Sequence, residues 1–284
     1  MNEKIAIAGG SGLVGQALLG MLKSQGRNAV ALKRPFRSAD LAGVTAIINL
    51  AGENLSAGRW SASRKKLILE SRTGTLQTLM RLANETGNQA RTLISASASG
   101  YYGTITSEQI FKEDDPPGND FLAGVCREWE EAALAFGAQG TRVALVRIGV
   151  VLTDRGGALP KMTLPLKFGL SAPLGNGRQW VPWIRLEDLC RAFIHLLDQP
   201  GLSGPFNAVA PEPVTNRGLM QALARRHRKL FIPIGIPPFL LQLILGEMAV
   251  ITLRGSRLSA SRLQDSGFRF EYPGLSEGLK GLSI

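Results

Sequence analysis

Three glycines near the start of the sequence form the clearest pattern that could support chemistry. Gly9, Gly12 and Gly15 are spaced three residues apart. The apolar run from Lys4 to Ala8 predicts a strand before them, and the apolar spacing after them predicts a helix. In such a unit the first glycine permits a tight turn, the second lets a diphosphate approach the backbone, and the third lets the helix pack on the strand. The pattern predicts a dinucleotide site, with a glycine turn that packs without a ligand as the alternative.

Two cations follow the second predicted strand, Ala29 to Leu32. They are Lys33 and Arg34, and Pro35 comes next. Sites that prefer NAD place an acid here for the ribose 2′-hydroxyl, whereas cations suit a 2′-phosphate. We therefore expect NADP(H) to be preferred over NAD(H). The alternative is a solvated basic loop, since Lys and Arg are mostly surface residues.

The elements that must position these residues alternate between strand and helix, which is typical of an α/β fold with a parallel sheet. A length of 284 residues allows one large domain, or one domain with a small appendage. A hydrophobic fraction of 44% with 19% charged residues indicates a sizeable core. This composition excludes disordered, collagen-like and low-complexity classes.

The net charge of +11 indicates anionic partners, either polyanions or small molecules. The most basic run, Arg225 to Lys229, has no aromatic residue before Phe231 and belongs to no recognised nucleic-acid module. We interpret it as a solvated helix end and expect no nucleic-acid partner.

The two cysteines, Cys126 and Cys190, lie far apart without metal-type spacing. We therefore expect no metal site and a reducing, cytoplasmic setting, which the absence of a signal-like start also favours. The apolar stretch Ile236 to Leu253 is interrupted by prolines and polar residues, and it is shorter than the roughly 20 residues of a membrane span. We predict a buried or partner-facing helix there, rather than a membrane-surface helix, because basic flanks are sparse.

Several further segments together carry a family resemblance. They are Ala46 to Gly52, Glu70 to Thr75, Ser95 to Gly103, Asp120 to Glu130, Arg147 to Leu152, Gly175 to Ile184, and a tail with Leu245 to Ala249, Gly255 to Arg257 and Gly267 to Phe270. With these motifs the chain resembles the SDR39U1/YfcH family of epimerase-like extended short-chain dehydrogenases/reductases, and its tail resembles the family's DUF1731 domain. The resemblance implies a Rossmann-type doubly wound parallel sheet at residues 1–228 and a small C-terminal domain at residues 229–284.

The resemblance also implies a set of cofactor contacts: Gly9, Ser11, Gly12, Leu13, Val14, Lys33, Arg34, Leu50, Ala51, Gly52, Arg72 and Val151. Arg72 has a rationale of its own, because it lies near the apolar face of a long predicted helix, Ser63 to Glu85. A cation in that position needs an anion or a carboxylate. The alternative is an Arg side chain that extends along the surface into solvent.

The proton relay of short-chain dehydrogenases is missing from this sequence. These enzymes normally use a Ser, a Tyr and a Lys four residues after the Tyr. The residues four positions after the three tyrosines are Ile105, Thr106 and Ser276, so no Tyr-x-x-x-Lys motif exists. Where the family would place the pair, the sequence offers Leu122 and Cys126.

Ser97 and Tyr102 are the catalytic candidates that remain. Ser97 lies at the position of the superfamily's catalytic Ser, with a hydroxyl satisfied by the backbone as the alternative. Tyr102 is our candidate proton donor, with half-buried aromatic packing as the alternative. The family usually has His at the position of Arg185. An anionic small-molecule substrate is indicated by the basic residues of the segment that lines the family's substrate cleft: Lys161, Lys167, Arg178 and Arg185.

We therefore expect an NADP(H)-binding oxidoreductase or epimerase-like enzyme that acts on a small molecule with a modified or missing relay. The alternative is a non-catalytic NADP(H)-sensing or scaffold protein that acts through a protein partner. The sequence leaves the substrate and the oligomeric state open.

Overall fold

The computed structural model describes residues 3–87 and 90–283. The strands of this part of the chain are β1 (Ile5–Ala8), β2 (Ala29–Leu32), β3 (Ala46–Asn49), β4 (Thr92–Ala98), β5 (Ile110–Phe111), β6 (Arg142–Ile148), β7 (Val150–Leu152), β8 (Leu170–Ser171), β9 (Trp183–Arg185), β10 (Gly204–Ala208), β11 (Leu230–Phe231) and β12 (Arg257–Leu258). Its α-helices are α1 (Leu13–Ser24), α2 (Ala62–Thr86), α3 (Phe121–Leu134), α4 (Leu159–Met162), α5 (Leu186–Asp198), α6 (Asn216–Arg226), α7 (Pro238–Leu245), α8 (Val250–Leu253), α9 (Ser261–Asp265) and α10 (Leu275–Leu279).

Six strands form the central sheet, in the order β10-β6-β4-β3-β1-β2, and every neighbouring pair is parallel. Their side chains are mostly apolar and mostly buried on both faces, as expected for a parallel sheet covered by helices. The chain order reverses at β1, whose neighbours are β2 and β3, and ligands of such sheets bind beside the carboxyl ends of the strands at this point. The predicted Rossmann-type doubly wound sheet is confirmed.

Paired helices cover the sheet, with α1 packed beside α5 and α2 beside α3. Side-chain caps fix where two of them begin: the Ser61 hydroxyl accepts a hydrogen bond from Arg64 N at the start of α2, and Asp120 accepts one from Ala123 N at the start of α3. The crossover between β2 and β3 contains only a short 3-10 turn, Ser38–Leu41, and adds no strand to the sheet. The strand β2 therefore lies at the edge of the sheet, next to β1.

The last part of the chain pairs back onto earlier loops. The strand β11 pairs with β8, and β12 pairs with β5, while Leu174 forms an isolated bridge with Ile236. The helix α10 packs on α6, with Gly278 against the ring of Trp183. The division at residue 228 stays a prediction.

The single helix predicted from Ile236 to Leu253 is wrong. The chain forms α7, a 3-10 turn (Gly246–Ala249) and α8 instead. The break falls at Gly246, whose backbone has φ +62° and ψ −143°, a conformation that residues with a side chain rarely adopt. Among the described residues, no helix has both the length and the apolar character that spanning a membrane requires.

Candidate functional site

The three glycines of the loop after β1 have different surroundings. Gly9 has φ +82°, and a Cβ atom on it would lie 2.7 Å from the backbone carbon of Leu50. A Cβ on Gly15 would lie 2.3 Å from the Gly9 carbonyl oxygen. On Gly12 a Cβ would meet only that same oxygen, at 3.3 Å, and otherwise open space. The first and third glycines are therefore required by packing, and the second leaves an open place against the backbone.

The open place lies at the amino end of α1. Gly12 is the cap residue of this helix, and Ser11 and Gly12 are exposed. The first N–H groups of a helix, here those of Leu13 and Val14, have no partner within the helix and favour an anion. The loop that follows β7, the strand of Val151, approaches the same end, because a Cβ on Gly157 would lie 3.4 Å from the Leu13 side chain. These residues fit the diphosphate of a dinucleotide.

Lys33 and Arg34 emerge together from the carboxyl end of β2, and both are exposed. The Arg34 guanidinium donates a hydrogen bond of 2.7 Å to the Thr75 hydroxyl on α2. The Lys33 side chain forms no hydrogen bond or ion pair within residues 3–87 and 90–283. One cation of the pair is thus held toward α2, and the other is free to meet a ligand.

Leu50 and Ala51 continue from β3 along the glycine loop. The Leu50 N–H donates to the Ala8 carbonyl at 2.8 Å, and the Ala51 N–H donates to Asn49 Oδ1 at 3.2 Å. Asn49 is fully buried, and its amide also donates to the Ser95 hydroxyl at 3.2 Å. Asn49 therefore fixes the turn that borders the cofactor site. The sequence signal for it is a polar residue that ends an apolar strand.

Arg72 is buried beside Gly52. Its guanidinium donates to the carbonyls of Ile68 (2.8 Å) and Glu53 (3.2 Å), and it lies 5.0 Å from the ring centre of Trp129. Burial lowers the pKa of Arg72, which the negative charge of Glu53 partly offsets. Within the described residues its hydrogen bonds go to backbone carbonyls and not to a carboxylate, so the anion of that expectation stays a prediction. The predicted cofactor residues nevertheless meet at the carboxyl ends of β1, β2 and β3.

Ser97, at the end of β4, belongs to a buried polar network. Its hydroxyl donates to Glu130 Oε1 at 2.6 Å. Glu130 also accepts two hydrogen bonds from Arg147, at 2.8 and 2.9 Å. Burial lowers the pKa of Arg147, but the hydrogen bonds and charge of Glu130 outweigh it and raise the pKa overall. The Ser97 hydroxyl is therefore directed at a carboxylate, a different partner from the backbone group that we considered.

Tyr102 lies at the other end of the same network and is fully buried. Its hydroxyl donates to Asn207 Oδ1 and accepts from Arg147 Nη1, both at 2.8 Å. Burial raises the pKa of Tyr102 despite the nearby Arg147 charge. These contacts are those of a packed structural phenol, which was the alternative to a proton donor.

Leu122 and Cys126 on α3 face the loop after β4, because a Cβ on Gly100 would lie 3.4 Å from Leu122 and 3.8 Å from the Cys126 sulfur. Burial raises the pKa of the Cys126 thiol to about 12. Neither side chain supplies a phenol or an ammonium group. Within the described residues, no group of three or more His, Cys, Asp or Glu side chains could hold a metal ion.

Sequence reasoning missed Glu130, Arg147, Asn207 and Glu113, whose carboxylate accepts from the Asn207 N–H at 2.8 Å. A signal existed for Arg147 alone. It is a charged residue that follows the apolar run of residues 143–146 within β6, and a charge in a central strand needs a buried partner. The partner could not be located, because it lies on a helix 17 residues earlier.

The expectation that Arg185 lines the substrate cleft is wrong. Arg185 is buried, and its guanidinium binds Glu187 and donates to the carbonyls of Gly278 and Lys280 while lying against the ring of Tyr272. It anchors the end of the chain around α10. Lys161 donates to the Ser56 hydroxyl at 2.6 Å, and Lys167 and Arg178 are exposed.

A parallel sheet with a switch point at β1 and an open glycine loop defines a Rossmann-type short-chain dehydrogenase/reductase fold. The chain matches the family described as "NAD dependent epimerase/dehydratase family" over residues 5–208 and "Domain of unknown function (DUF1731)" over residues 236–282. The chain therefore belongs to the NAD dependent epimerase/dehydratase family, and the resemblance to its SDR39U1-type members is confirmed.

Individual relatives agree with this assignment. The epimerase family protein YfhF of Bacillus subtilis is 36% identical over 98% of this chain and 97% of its own length. The crystal structure of the human epimerase family protein SDR39U1 with NADPH has a TM-score of 0.89 and 29% identity, covering 98% of both chains. MoeE5 in complex with UDP-glucuronic acid and NAD has a TM-score of 0.79 over 98% of this chain and 97% of that one, and at 19% identity it shows the fold alone.

Proposed function

We propose that the protein binds NADP(H) in preference to NAD(H) and transfers hydride between this cofactor and a small-molecule substrate, without the Tyr-x-x-x-Lys relay. The observation that carries the proposal is the cation pair Lys33 and Arg34, exposed at the carboxyl end of β2. The adjacent glycine loop has the open place at Gly12 that a diphosphate requires. NADPH in the structure of human SDR39U1 supports the proposal.

Different residues of this chain would bind different parts of the cofactor. The amino end of α1 and the Gly12 backbone would hold the diphosphate, and Lys33 and Arg34 would hold the ribose 2′-phosphate. Gly52, beside the buried Arg72, would border the nicotinamide half together with Leu50 and Ala51. When bound, the nicotinamide would supply or accept hydride.

Cofactor preference is tested by titrating NADPH and NADH into the wild type and into the double variant Lys33→Glu/Arg34→Glu, with tryptophan fluorescence as the readout. A hydrogen bond to a charged group contributes about 1.5–3 kcal/mol, so the Kd for NADPH should rise at least about tenfold. The Kd for NADH should change much less. Lys23→Glu, an exposed site on α1, is the charge control. Equal weakening of both cofactors would contradict the assignment.

A proton source other than Tyr102 is needed for turnover, because the Tyr102 hydroxyl is buried and hydrogen-bonded on both sides. Tyr101 fits better. It is half-buried, its ring centre lies 3.4 Å from the Arg147 guanidinium, and its hydroxyl forms no hydrogen bond within residues 3–87 and 90–283. We propose Tyr101 as the group that exchanges a proton with the substrate, and Ser97 as a residue that acts through Glu130.

Turnover is tested by the oxidation of NADPH at 340 nm with a panel of carbonyl and enone substrates. Tyr101→Phe should abolish kcat while leaving the Kd for NADPH unchanged, and Tyr102→Phe should mainly lower stability. If Tyr101→Phe retains full activity, the assignment of Tyr101 fails.

The second candidate function is a protein that binds NADP(H) without turnover and signals to a partner. The engagement of Ser97 and Tyr102 in internal hydrogen bonds favours it. Tight NADPH binding with no oxidation of NADPH by any compound in the panel would decide for this second function.

A further inference from the structure

The helix α7 presents an apolar face to solvent. Phe239, Leu240, Leu243 and Ile244 are 39 to 70% exposed. The second pair follows the first by four residues, about one helical turn, so all four lie on one side of the helix. Leu241, on the other side, is buried. Four of the eight residues of this helix therefore present apolar surface that the described residues of the chain leave partly uncovered.

The apolar surface continues onto the small sheet that precedes α7. Phe168 and Leu170 on one segment and Leu230 and Ile234 on the other are 42 to 79% exposed. These segments are joined because Leu170 pairs with Leu230 in the β8–β11 ladder. The second segment reaches α7 directly through Ile236, which bridges to Leu174. We call these four residues and the four on α7 the apolar surface.

The two sequence segments that contain the apolar surface carry basic residues and no acidic ones. Between Asp154 and Glu187, and again between Glu212 and Glu247, the sequence contains no acidic residue. The same two segments carry exposed cations: Lys161, Lys167, Arg225, Arg226, Arg228 and Lys229. Lys167 and Lys229 stand next to Phe168 and Leu230 in the sequence. Glu247, at the end of α7, is in an ion pair with Lys65.

We propose that the apolar surface binds to the face of an anionic lipid bilayer, with its aromatic and aliphatic side chains in the interface and its cations against the lipid phosphates. Contiguous exposed apolar patches mark interaction sites. Shallow insertion combined with attraction to anionic lipids is the usual mode of proteins that lie on a membrane. A second copy of the chain fits less well, because two such surfaces would bring cations against cations.

The sequence pattern alone disfavoured this role for Ile236 to Leu253, because that stretch has sparse basic flanks of its own. The fold supplies the missing charge from a distant segment, since the pairing of β8 with β11 brings Lys167, in the 3-10 turn before β8 (Leu164–Phe168), to the same region.

Co-sedimentation with vesicles tests the proposal. The full chain should bind vesicles made of equal parts phosphatidylglycerol and phosphatidylcholine, should bind pure phosphatidylcholine vesicles at least about tenfold more weakly, and should be released by salt. Phe239→Ser/Leu243→Ser should weaken binding about tenfold. Lys167→Glu/Lys229→Glu should weaken it at least about tenfold, since each basic residue near an anionic surface contributes about fivefold.

Matched controls test whether the loss of any exposed apolar or basic side chain weakens vesicle binding. Leu134→Ser removes an exposed leucine on α3, and Lys23→Glu reverses an exposed charge on α1, and both should bind like the wild type. Circular dichroism should show that every variant is folded, and Phe168→Ser provides a second apolar variant on a different element.

Three results would overturn the proposal. The first is no binding to the anionic vesicles, and the second is equal binding to neutral ones. The third is a concentration-dependent dimer, seen by light scattering, that Phe239→Ser/Leu243→Ser dissociates, because this would assign the apolar surface to a second copy.

Discussion

The Glu130–Arg147 pair allows a quantitative test of how the strand ends near the catalytic candidates are held. Both side chains are almost completely buried, at 7% and 3% exposure, and two hydrogen bonds join them. Removing one partner leaves the other as an unpaired buried charge, which costs about 3–5 kcal/mol. We therefore expect Glu130→Gln and Arg147→Met each to lower the free energy of unfolding by that amount.

The double variant removes both charges together. Its remaining cost comes from the groups that lack a partner, which are the amide N–H group introduced at position 130, the Tyr102 hydroxyl and the Glu113 carbonyl, at roughly 1 kcal/mol each. The two single effects sum to about 6–10 kcal/mol and the double effect to about 3 kcal/mol, so the coupling energy should be at least about 3 kcal/mol.

The measurement is a double-mutant cycle by urea unfolding, followed by circular dichroism at neutral pH. The control cycle uses Arg81 and Glu85, an i,i+4 pair on α2 whose side chains are 61% and 47% exposed. Exposed helix pairs contribute about 0.3–0.5 kcal/mol. A coupling energy for Glu130 and Arg147 as small as that of the control pair would refute the reasoning.

Three further predictions concern glycines and a cysteine. Gly12→Ala should fold normally yet weaken NADPH binding, whereas Gly15→Ala should lower the melting temperature, because its Cβ would overlap the turn. Cys126 should resist iodoacetamide at pH 8 until the protein unfolds, because burial raises the pKa of its thiol from the ordinary 9.0 to about 12. Its contribution to stability should be complete below pH 9 and should fall as the pH rises toward 12, measured by urea unfolding at each pH. Gly278→Ala should lower the free energy of unfolding by about 1–3 kcal/mol, because the added Cβ would overlap the Trp183 ring. Gly74→Ala, inside α2 with open space around it, should raise the free energy of unfolding by about 0.4–1 kcal/mol in the same urea assay.

The cofactor half of the fold was predictable because local rules determine it. The spacing of Gly9, Gly12 and Gly15 and the strand before them depend on neighbours within a few residues, and the loop forms as that pattern requires. The helix predicted over Ser63 to Glu85 agrees with α2 to within one residue at each end for the same reason. Apolar periodicity and capping residues act over a single turn.

The interior around the catalytic candidates could not be predicted, because its contacts join distant parts of the chain. Tyr102 meets Asn207 across 105 residues, and Arg185 meets Gly278 across 93. A sequence shows that a buried cation needs partners, but not which carbonyls will supply them. Arg72 illustrates this, since the hydrogen-bond partners that the structure gives it are two backbone oxygens, which no sequence pattern identifies.

The pairing of β11 with β8 and of β12 with β5 has a consequence for synthesis of the protein on the ribosome. All six strands of the central sheet have been made once Ala208 is added, so the glycine loop can form while the chain is still growing. The short strands β8 and β5 must wait for residues 230 and 257 before they have neighbours. The strands of the central sheet are therefore complete before β8 and β5 have their partners, and premature termination after Ala208 would leave these two short strands unpaired.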